Sequence, residues 1–202
     1  WNGKQLLSRT DKEIHCPSWY TRNFPSNAAL DGELFVGRGK FQETTSVVMK
    51  KKPNDEEWAK VTYRVFDAPS LQEPFEKRFK LAETVVSDIC NREGGKCHVK
   101  VVEHTLIKDR EHMKQLYKNV LEKGGEGIML RKADSEYVPR RSKTLLKVKP
   151  TEDAEAIIVG FAEGKGKDTG RLGALLVKNS LGEFKIGTGF TAKMRQEIWN
   201  KR

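Results

Sequence analysis

The chain has 202 residues, of which 37% are hydrophobic and 33% charged, a length that suits one large domain or two small ones and a composition that excludes disorder. No stretch approaches the ~20 apolar residues of a membrane-spanning helix, and residues 1–9 lack the apolar segment of a signal peptide. The three cysteines, Cys16, Cys90 and Cys97, have no C-x-x-C spacing. We therefore expect no disulfide scaffold and a reducing intracellular compartment.

The charge balance favours a polyanionic partner. Lys and Arg number 38 against 28 Asp and Glu, which leaves a net charge of +10. Each cation that meets a nucleic-acid phosphate releases a condensed counterion, so an excess of this size suits nucleic acid. A basic protein without such a partner would show the same balance, and charge alone does not decide between them.

Up to Pro150 the hydrophobic pattern predicts a mixture of strands and helices. One helix opens with a capping-box pattern, Ser70 followed by Glu73, and ends at Gly94. A second begins near Asp109 and ends at Gly124. The predicted strands cover residues 29–36, 61–66, 98–103, 127–132 and 144–149.

After Pro150 strands predominate, and we place a domain boundary there, between residues 1–150 and 151–202. A loop rich in Gly and Lys spans residues 163–171, and a short helix follows Thr191. This order is typical of an OB-type β-barrel, although 52 residues (151–202) are few for a complete one. Strands are predicted at residues 154–161, 174–178 and 183–187.

Two strands present charged side chains in a period of two. Asp31 and Glu33 project from one face of their strand. Their carboxylates repel each other there unless a cation, a metal or a ligand hydroxyl binds to them. Lys147 and Lys149 project together from another strand and suit a phosphate. The alternatives are a half-exposed edge strand for the acids and a solvated face for the lysines.

Two further segments have a structural and a functional interpretation. Glu126 lies among glycines that stop a helix or let the backbone approach a ligand closely. Phe66 ends a strand, where it either stacks on a base or packs in the core. His98 and His104 lack the spacing of a metal site.

Taken in order, these segments resemble the motifs of the covalent nucleotidyltransferases, and most closely those of small ATP-dependent DNA ligases. The resemblance implies an α+β fold with a ligase-type nucleotidyltransferase (adenylation) domain of mixed and antiparallel sheets, followed by a small OB-fold barrel. It spans nearly the whole chain. The matching segments are SR at 8–9, LDGEL at 30–34, VFD at 65–67, EGIMLR at 126–131 and LKVK at 146–149.

The resemblance also implies roles for residues at the nucleotide. ATP would be the donor of AMP. Glu33 would hold the ribose of AMP, and Phe66 would stack on its adenine. Lys147 and Lys149 would contact the AMP phosphate and offset its charge during transfer.

Metal and DNA contacts follow from the same resemblance. Asp31 and Glu126 would belong to a site for Mg²⁺ (or Mn²⁺), and Arg9 would bind the nick phosphate. The partner would be nicked duplex DNA, bound by a monomer. In the OB part, the basic residues expected at DNA phosphates are Lys165, Lys167 and Arg171.

In that family, a lysine of a K-x-D-G motif attacks ATP to form lysyl-AMP. AMP then passes to the 5′-phosphate of a nick, and the 3′-hydroxyl displaces it. No Lys-x-Asp-Gly occurs in the 202 residues, and we expect the sequence to begin just after it, with Lys4 no substitute. The chain as written is therefore expected not to form lysyl-AMP.

Two rival interpretations remain at this point. An RNA ligase or an mRNA-capping guanylyltransferase shares the nucleotide-site motifs, and a covalent adduct with GTP would favour capping. A non-catalytic, basic OB-type module explains the charge but leaves Asp31, Glu33 and Glu126 without a purpose.

Overall fold

A computed structural model describes residues 1–151 and 153–202. They form two compact units, Trp1–Pro150 and Thr151–Arg202. None of the helices in this described part is long and apolar enough to cross a membrane.

The first unit mixes helices with strands in the order that the sequence predicts, with three short helices in addition. β1 is antiparallel to β2, β2 is parallel to β3, and β4 pairs with β5 as a separate antiparallel ribbon. The elements are α1 (Ser18–Thr21), β1 (Asp31–Phe35), α2 (Phe41–Val48), α3 (Asp55–Trp58), β2 (Thr62–Asp67), α4 (Phe75–Glu93), β3 (Val99–Val101), α5 (Arg110–Glu122), β4 (Ile128–Arg131) and β5 (Leu145–Val148).

The core of this unit lies between α4 and the sheet β1–β2–β3. On α4 the residues Ala82, Val86 and Ile89 recur every three or four positions and are buried, as an amphipathic helix requires. Tyr63 and Val65 of β2 alternate with more exposed neighbours and are buried as well. One face of the sheet therefore packs on the helix, and Thr62, Arg64 and Phe66 lie at the intervening positions.

Predicted helix ends are confirmed where the capping chemistry is local. Gly94 ends α4 in the left-handed region at φ 64°, and the Asp109 side chain accepts from the His112 N–H at 2.8 Å at the start of α5. The predicted capping box is wrong. The helix begins at Phe75, and the Ser70 hydroxyl instead accepts from the Ala29 N–H at 3.1 Å.

The sequence pattern did not predict the three short helices, because each contributes only a few residues to the core. Tyr20 of α1, Val47 of α2 and Trp58 of α3 are buried in the same cluster. Helices of four to eight residues gain little from intrinsic propensity, so tertiary packing stabilises them.

A disulfide joins Cys90, near the end of α4, to Cys97, just before β3. Their Cα atoms are 5.1 Å apart, and the reversal of the chain at Gly94 brings them together. Cys16 is free, and burial raises the pKa of its thiol. The cysteine spacing excluded a disulfide scaffold but did not reveal this single pair, which removes the basis of the argument for a reducing compartment.

A buried ion pair fixes α4 against the end of β2. The side chains of Arg78 and Asp67 are both 0% exposed, and two guanidinium N–H groups donate to the carboxylate at 2.7 and 3.2 Å. Arg78 also donates to the carbonyls of Glu73 and Ser135. Because a buried charge is tolerated only when it is paired and hydrogen-bonded, this network fixes the position of the helix.

The second unit is a three-stranded antiparallel sheet with one helix. Arg195 of the helix donates to the carbonyls of Leu172, Gly173 and Gly187, which holds the helix at the end of the sheet. The elements are β6 (Ile157–Glu163), a 3₁₀ turn (Gly166–Asp168), β7 (Leu172–Asn179), β8 (Gly182–Ile186) and α6 (Ala192–Asn200), in the sheet order β6–β7–β8. The predicted strands and helix are present, but within residues 153–202 the sheet does not close into a barrel.

The disulfide predicts a defined thiol count. The unfolded, unreduced chain should show one reactive thiol, and the reduced chain all three cysteines. Reduction should lower the free energy of unfolding by about 2 kcal/mol, because the open chain gains conformational entropy. Titration with a thiol reagent in denaturant, with Cys16→Ser as the control, checks this; three thiols before reduction would contradict the pairing.

Removing the Arg78 guanidinium should destabilise the first unit strongly. The variant Arg78→Met leaves the buried Asp67 carboxylate without one of its two arginine partners. The free energy of unfolding should fall by about 3–5 kcal/mol. The neighbouring Lys77 makes an exposed pair with Glu73 at 2.9 Å, so Lys77→Met should cost about 1 kcal/mol at most. Urea unfolding of both variants gives the comparison, and equal losses would contradict the role of the buried pair.

Candidate active site

The acidic strand β1 meets β2 through a β-bulge. Asp31 lies opposite Asp67, but the next residue, Gly32, lies opposite Val65, so Phe66 is an extra residue without a partner on β1. A Cβ on Gly32 would come within 2.6 Å of the Arg64 carbonyl, so the approach of the strands requires glycine. Bulges reorient side chains next to functional sites, and here the residue concerned is the predicted adenine contact.

Three predicted site residues line one cavity of about 230 Å³. Arg9, Asp31 and Glu33 share its wall with Tyr63 and other residues of the amino-terminal segment and β1. Glu33 and Arg9 are exposed, whereas Asp31 is partly buried. Two carboxylates and a guanidinium therefore meet at one concave surface, where they can bind hydroxyl and phosphate groups.

Asp31 accepts a hydrogen bond that the sequence did not indicate. Its carboxylate accepts from the Tyr137 hydroxyl at 2.9 Å. Burial raises the pKa of Asp31, and the Asp67 carboxylate adds to the effect, while the Tyr137 bond and Arg131 act in the opposite direction.

The β4–β5 ribbon pairs a lysine with the predicted metal carboxylate. The Lys147 amine lies 3.6 Å from the Glu126 carboxylate, and both side chains are more than half exposed. Lys149 follows β5 directly and is exposed. Gly127 has φ 147°, and a Cβ there would collide with the Val148 carbonyl, so this glycine brings the Glu126 backbone against β5.

Two side-chain contacts connect the ribbon to the β1–β2–β3 sheet. Arg131, the last residue of β4, donates to the Asp67 carboxylate, and Tyr137 of the following loop donates to Asp31. Alternation along the ribbon places Lys147 on the same face as Arg131. The lysine-bearing face therefore turns toward the strands that hold the acids, although no contact between Glu33 and Lys147 is present among the described residues.

A third contact positions the Glu126 segment. The Arg38 guanidinium, in the loop after β1, donates to the Lys123 carbonyl at 2.5 Å. Lys123 directly follows α5 and lies three residues before Glu126. Arg131 lies in the quoted segment EGIMLR, but the sequence pattern assigned no role to Arg38, Arg131 or Tyr137, because each acts through a partner distant in sequence.

In the second unit the predicted phosphate contacts differ among themselves. Lys165 and Lys167 are exposed at the 3₁₀ turn and form no ion pair within residues 153–202. Arg171 is partly buried, and its Nε donates to Gln196 at 3.2 Å. The two lysines are therefore free for a polyanion, while Arg171 also supports α6.

The described residues contain no group of three or more His, Cys, Asp and Glu side chains arranged to hold a metal ion.

Known proteins similar to this chain are DNA ligases. A family model described as an ATP-dependent DNA ligase domain matches residues 4–149, and one described as a DNA ligase OB-like domain matches residues 163–201. A DNA ligase of Haemophilus influenzae is 34% identical over 197 residues, which are 97% of this chain and 70% of that protein. A DNA ligase of Thermococcus onnurineus is 35% identical over 81% of this chain, but only 32% of its own length is covered.

Solved structures give the same result. A structure from a study of DNA binding by Lig E DNA ligases has a TM-score of 0.84 at 35% identity, covering 98% of this chain and 75% of that one. The Chlorella virus DNA ligase–adenylate has a TM-score of 0.59 at 30% identity, covering 98% of this chain and 76% of that one. Both domain models and these relatives confirm the resemblance drawn from the five segments: the chain belongs to the family of ATP-dependent DNA ligases.

Proposed function

We propose that this ligase seals nicks between a 5′-phosphate and a 3′-hydroxyl in duplex DNA through AMP intermediates, acting as a monomer. The observation on which the proposal rests is the joining of two sheets, one with Asp31 and Glu33, the other with Lys147 beside Glu126. The relative from Chlorella virus was solved as its adenylate, which supports an AMP intermediate. The match of residues 4–149 to the ligase domain argues against a non-catalytic OB module and against the capping enzymes.

In the proposed site each residue type suits one part of the nucleotide. Phe66, placed in the bulge, stacks on adenine, and the exposed Glu33 carboxylate accepts from the ribose hydroxyls. Lys147 and Lys149 offset the charge that develops on the phosphate. Arg9, in the wall of the same cavity as Glu33, contacts the phosphate of the nick.

Glu126 fits a role in holding Mg²⁺. Its side chain is 85% exposed and lies 3.6 Å from the Lys147 amine, so a hard oxygen ligand is available beside the phosphate-binding lysines. Asp31 offers less, because Tyr137 already occupies one of its oxygens. When bound, Mg²⁺ would supply charge neutralisation at the phosphates.

The last chemical step can be measured separately from the first. The 3′-hydroxyl attacks the 5′-phosphorus of adenylated DNA, the bond from that phosphorus to AMP breaks, and AMP leaves with the electron pair. No enzyme lysine is a nucleophile in this step. A nick that is already adenylated therefore tests the site described above without the K-x-D-G lysine.

On an adenylated nick, the variant Lys147→Ala should seal about a hundredfold more slowly than the unaltered chain, because a cation at the reacting phosphate is lost. Quenched-flow sampling on denaturing gels gives the rate. The matched control is Lys118→Ala on α5, whose exposed amine lies 3.7 Å from Glu122. Equal rates for the two variants, or no sealing by the unaltered chain, would contradict the proposed site.

The second unit should contribute electrostatic binding of DNA. Replacing Lys165 and Lys167 together by Ala should weaken binding of nicked duplex and flatten the plot of log K against log salt concentration by about 2, at about 0.9 per phosphate contact. Fluorescence anisotropy across a salt series measures the slope.

The matched control for that experiment is the double variant Lys178→Ala and Lys193→Ala. These lysines also belong to the second unit, but they lie 3.3 and 3.8 Å from Glu183 and Glu197. The salt slope should remain unchanged in this control. An equal flattening in both double variants would show that overall charge, rather than the 3₁₀ turn, governs DNA binding.

A further inference from the structure

Arg64 lies next to Glu33 but has no assigned role. On β2 it is directly opposite Glu33 of β1, and on its other side it neighbours Lys100 of β3. Its neighbours Tyr63 and Val65 are buried against α4, so Arg64 projects from the opposite face of the sheet. This face also presents Glu33, the predicted ribose ligand.

Within residues 1–151 and 153–202 the guanidinium of Arg64 has no hydrogen-bond partner. Its Nε is buried and unpaired, and no side chain in the described part of the chain forms an ion pair with it. The group lies over the Phe35 ring, 5.3 Å from the centroid. Stacking on a ring leaves the N–H groups at the guanidinium edge free to bind a planar or tetrahedral anion. An unpaired buried donor is costly, so the site favours an acceptor.

The neighbouring charges favour an anion rather than a neutral acceptor. Lys100 is exposed beside Arg64 and forms no ion pair with any described residue. Like charges on adjacent strands destabilise a sheet unless an anion compensates them. Glu33 is the nearest carboxylate in register, but it forms no ion pair with Arg64 within the described residues.

We propose that Arg64, assisted by Lys100, binds a phosphate group next to the ribose that Glu33 holds. The inference rests on the proposed function, since it takes the position of the ribose from there. The phosphate comes from one of two sources, the nucleotide or the 5′ end of the DNA nick. A guanidinium binds two phosphate oxygens at once, which fixes the orientation of the group as well as its charge.

Two pairs of probes separate the sources. AMP and adenosine differ only by the nucleotide phosphate, and nicked duplexes ending in a 5′-phosphate or a 5′-hydroxyl differ only by the DNA phosphate. Isothermal titration with each probe gives the affinity advantage that the phosphate confers. In the variant Arg64→Met, which keeps an unbranched stem over Phe35, this advantage should fall about tenfold for one pair.

Three variants define the controls. Lys80→Met removes an exposed cation from α4, on the other face of the sheet. It should leave two affinity ratios unchanged, that of AMP to adenosine and that of the 5′-phosphate nick to the 5′-hydroxyl nick. Arg64→Lys should recover part of the advantage, because it restores charge without the guanidinium fork. Lys100→Met should cause a smaller loss for the same pair. Urea unfolding confirms that each variant is folded.

The outcomes separate this inference from the function on which it rests. A fall in the AMP ratio assigns Arg64 to the nucleotide, and a fall in the nick ratio assigns it to DNA. Unchanged ratios in Arg64→Met, or a fall equal to that in Lys80→Met, would overturn the inference. Glu33→Ala should weaken AMP and adenosine alike; if it weakens neither, the proposed ribose site fails, whatever the Arg64 ratios show.

Discussion

The buried Asp67 carboxylate is the point on which the first unit depends. It receives hydrogen bonds from Arg78 of α4 and from Arg131 of β4. Removal of a charge from water is expensive, so the carboxylate is stable only while both guanidinium groups remain. The helix, the three-stranded sheet and the separate ribbon therefore share one electrostatic constraint, although in the part of the chain that the structure describes no backbone ladder joins the two sheets.

This constraint determines where the candidate site residues lie. The ribbon contacts the sheet through Arg131 and Tyr137, and both contacts end on acidic residues of β1 and β2. Asp31 and Asp67 thus hold the ribbon and its following loop against the sheet. Glu33, Glu126 and Lys147 remain exposed. An exposed pair such as Lys147 and Glu126 adds little to stability, so these groups are available to a substrate.

The sequence allowed the prediction of features that depend on neighbouring residues. Alternation located β1 and β2, and Gly94 and Asp109 marked helix ends, because strand faces and caps are local. Features that depend on distant residues were missed. The Cys90–Cys97 pair requires the turn geometry, and the Tyr137 bond to Asp31 joins residues 106 positions apart. Ser70 resembled a cap, but a backbone N–H from another segment already occupied its oxygen.

Because of the bulge at Phe66, the positions of Asp67 and Arg64 relative to β1 depend on the number of residues in β2. The extra residue lets Asp67 meet Asp31 while Arg64 still faces Glu33. Loss of a single codon between Val65 and Asp67 would restore a regular ladder and would shift the carboxylate relative to α4. Insertions and deletions within this strand should therefore be selected against in homologous enzymes.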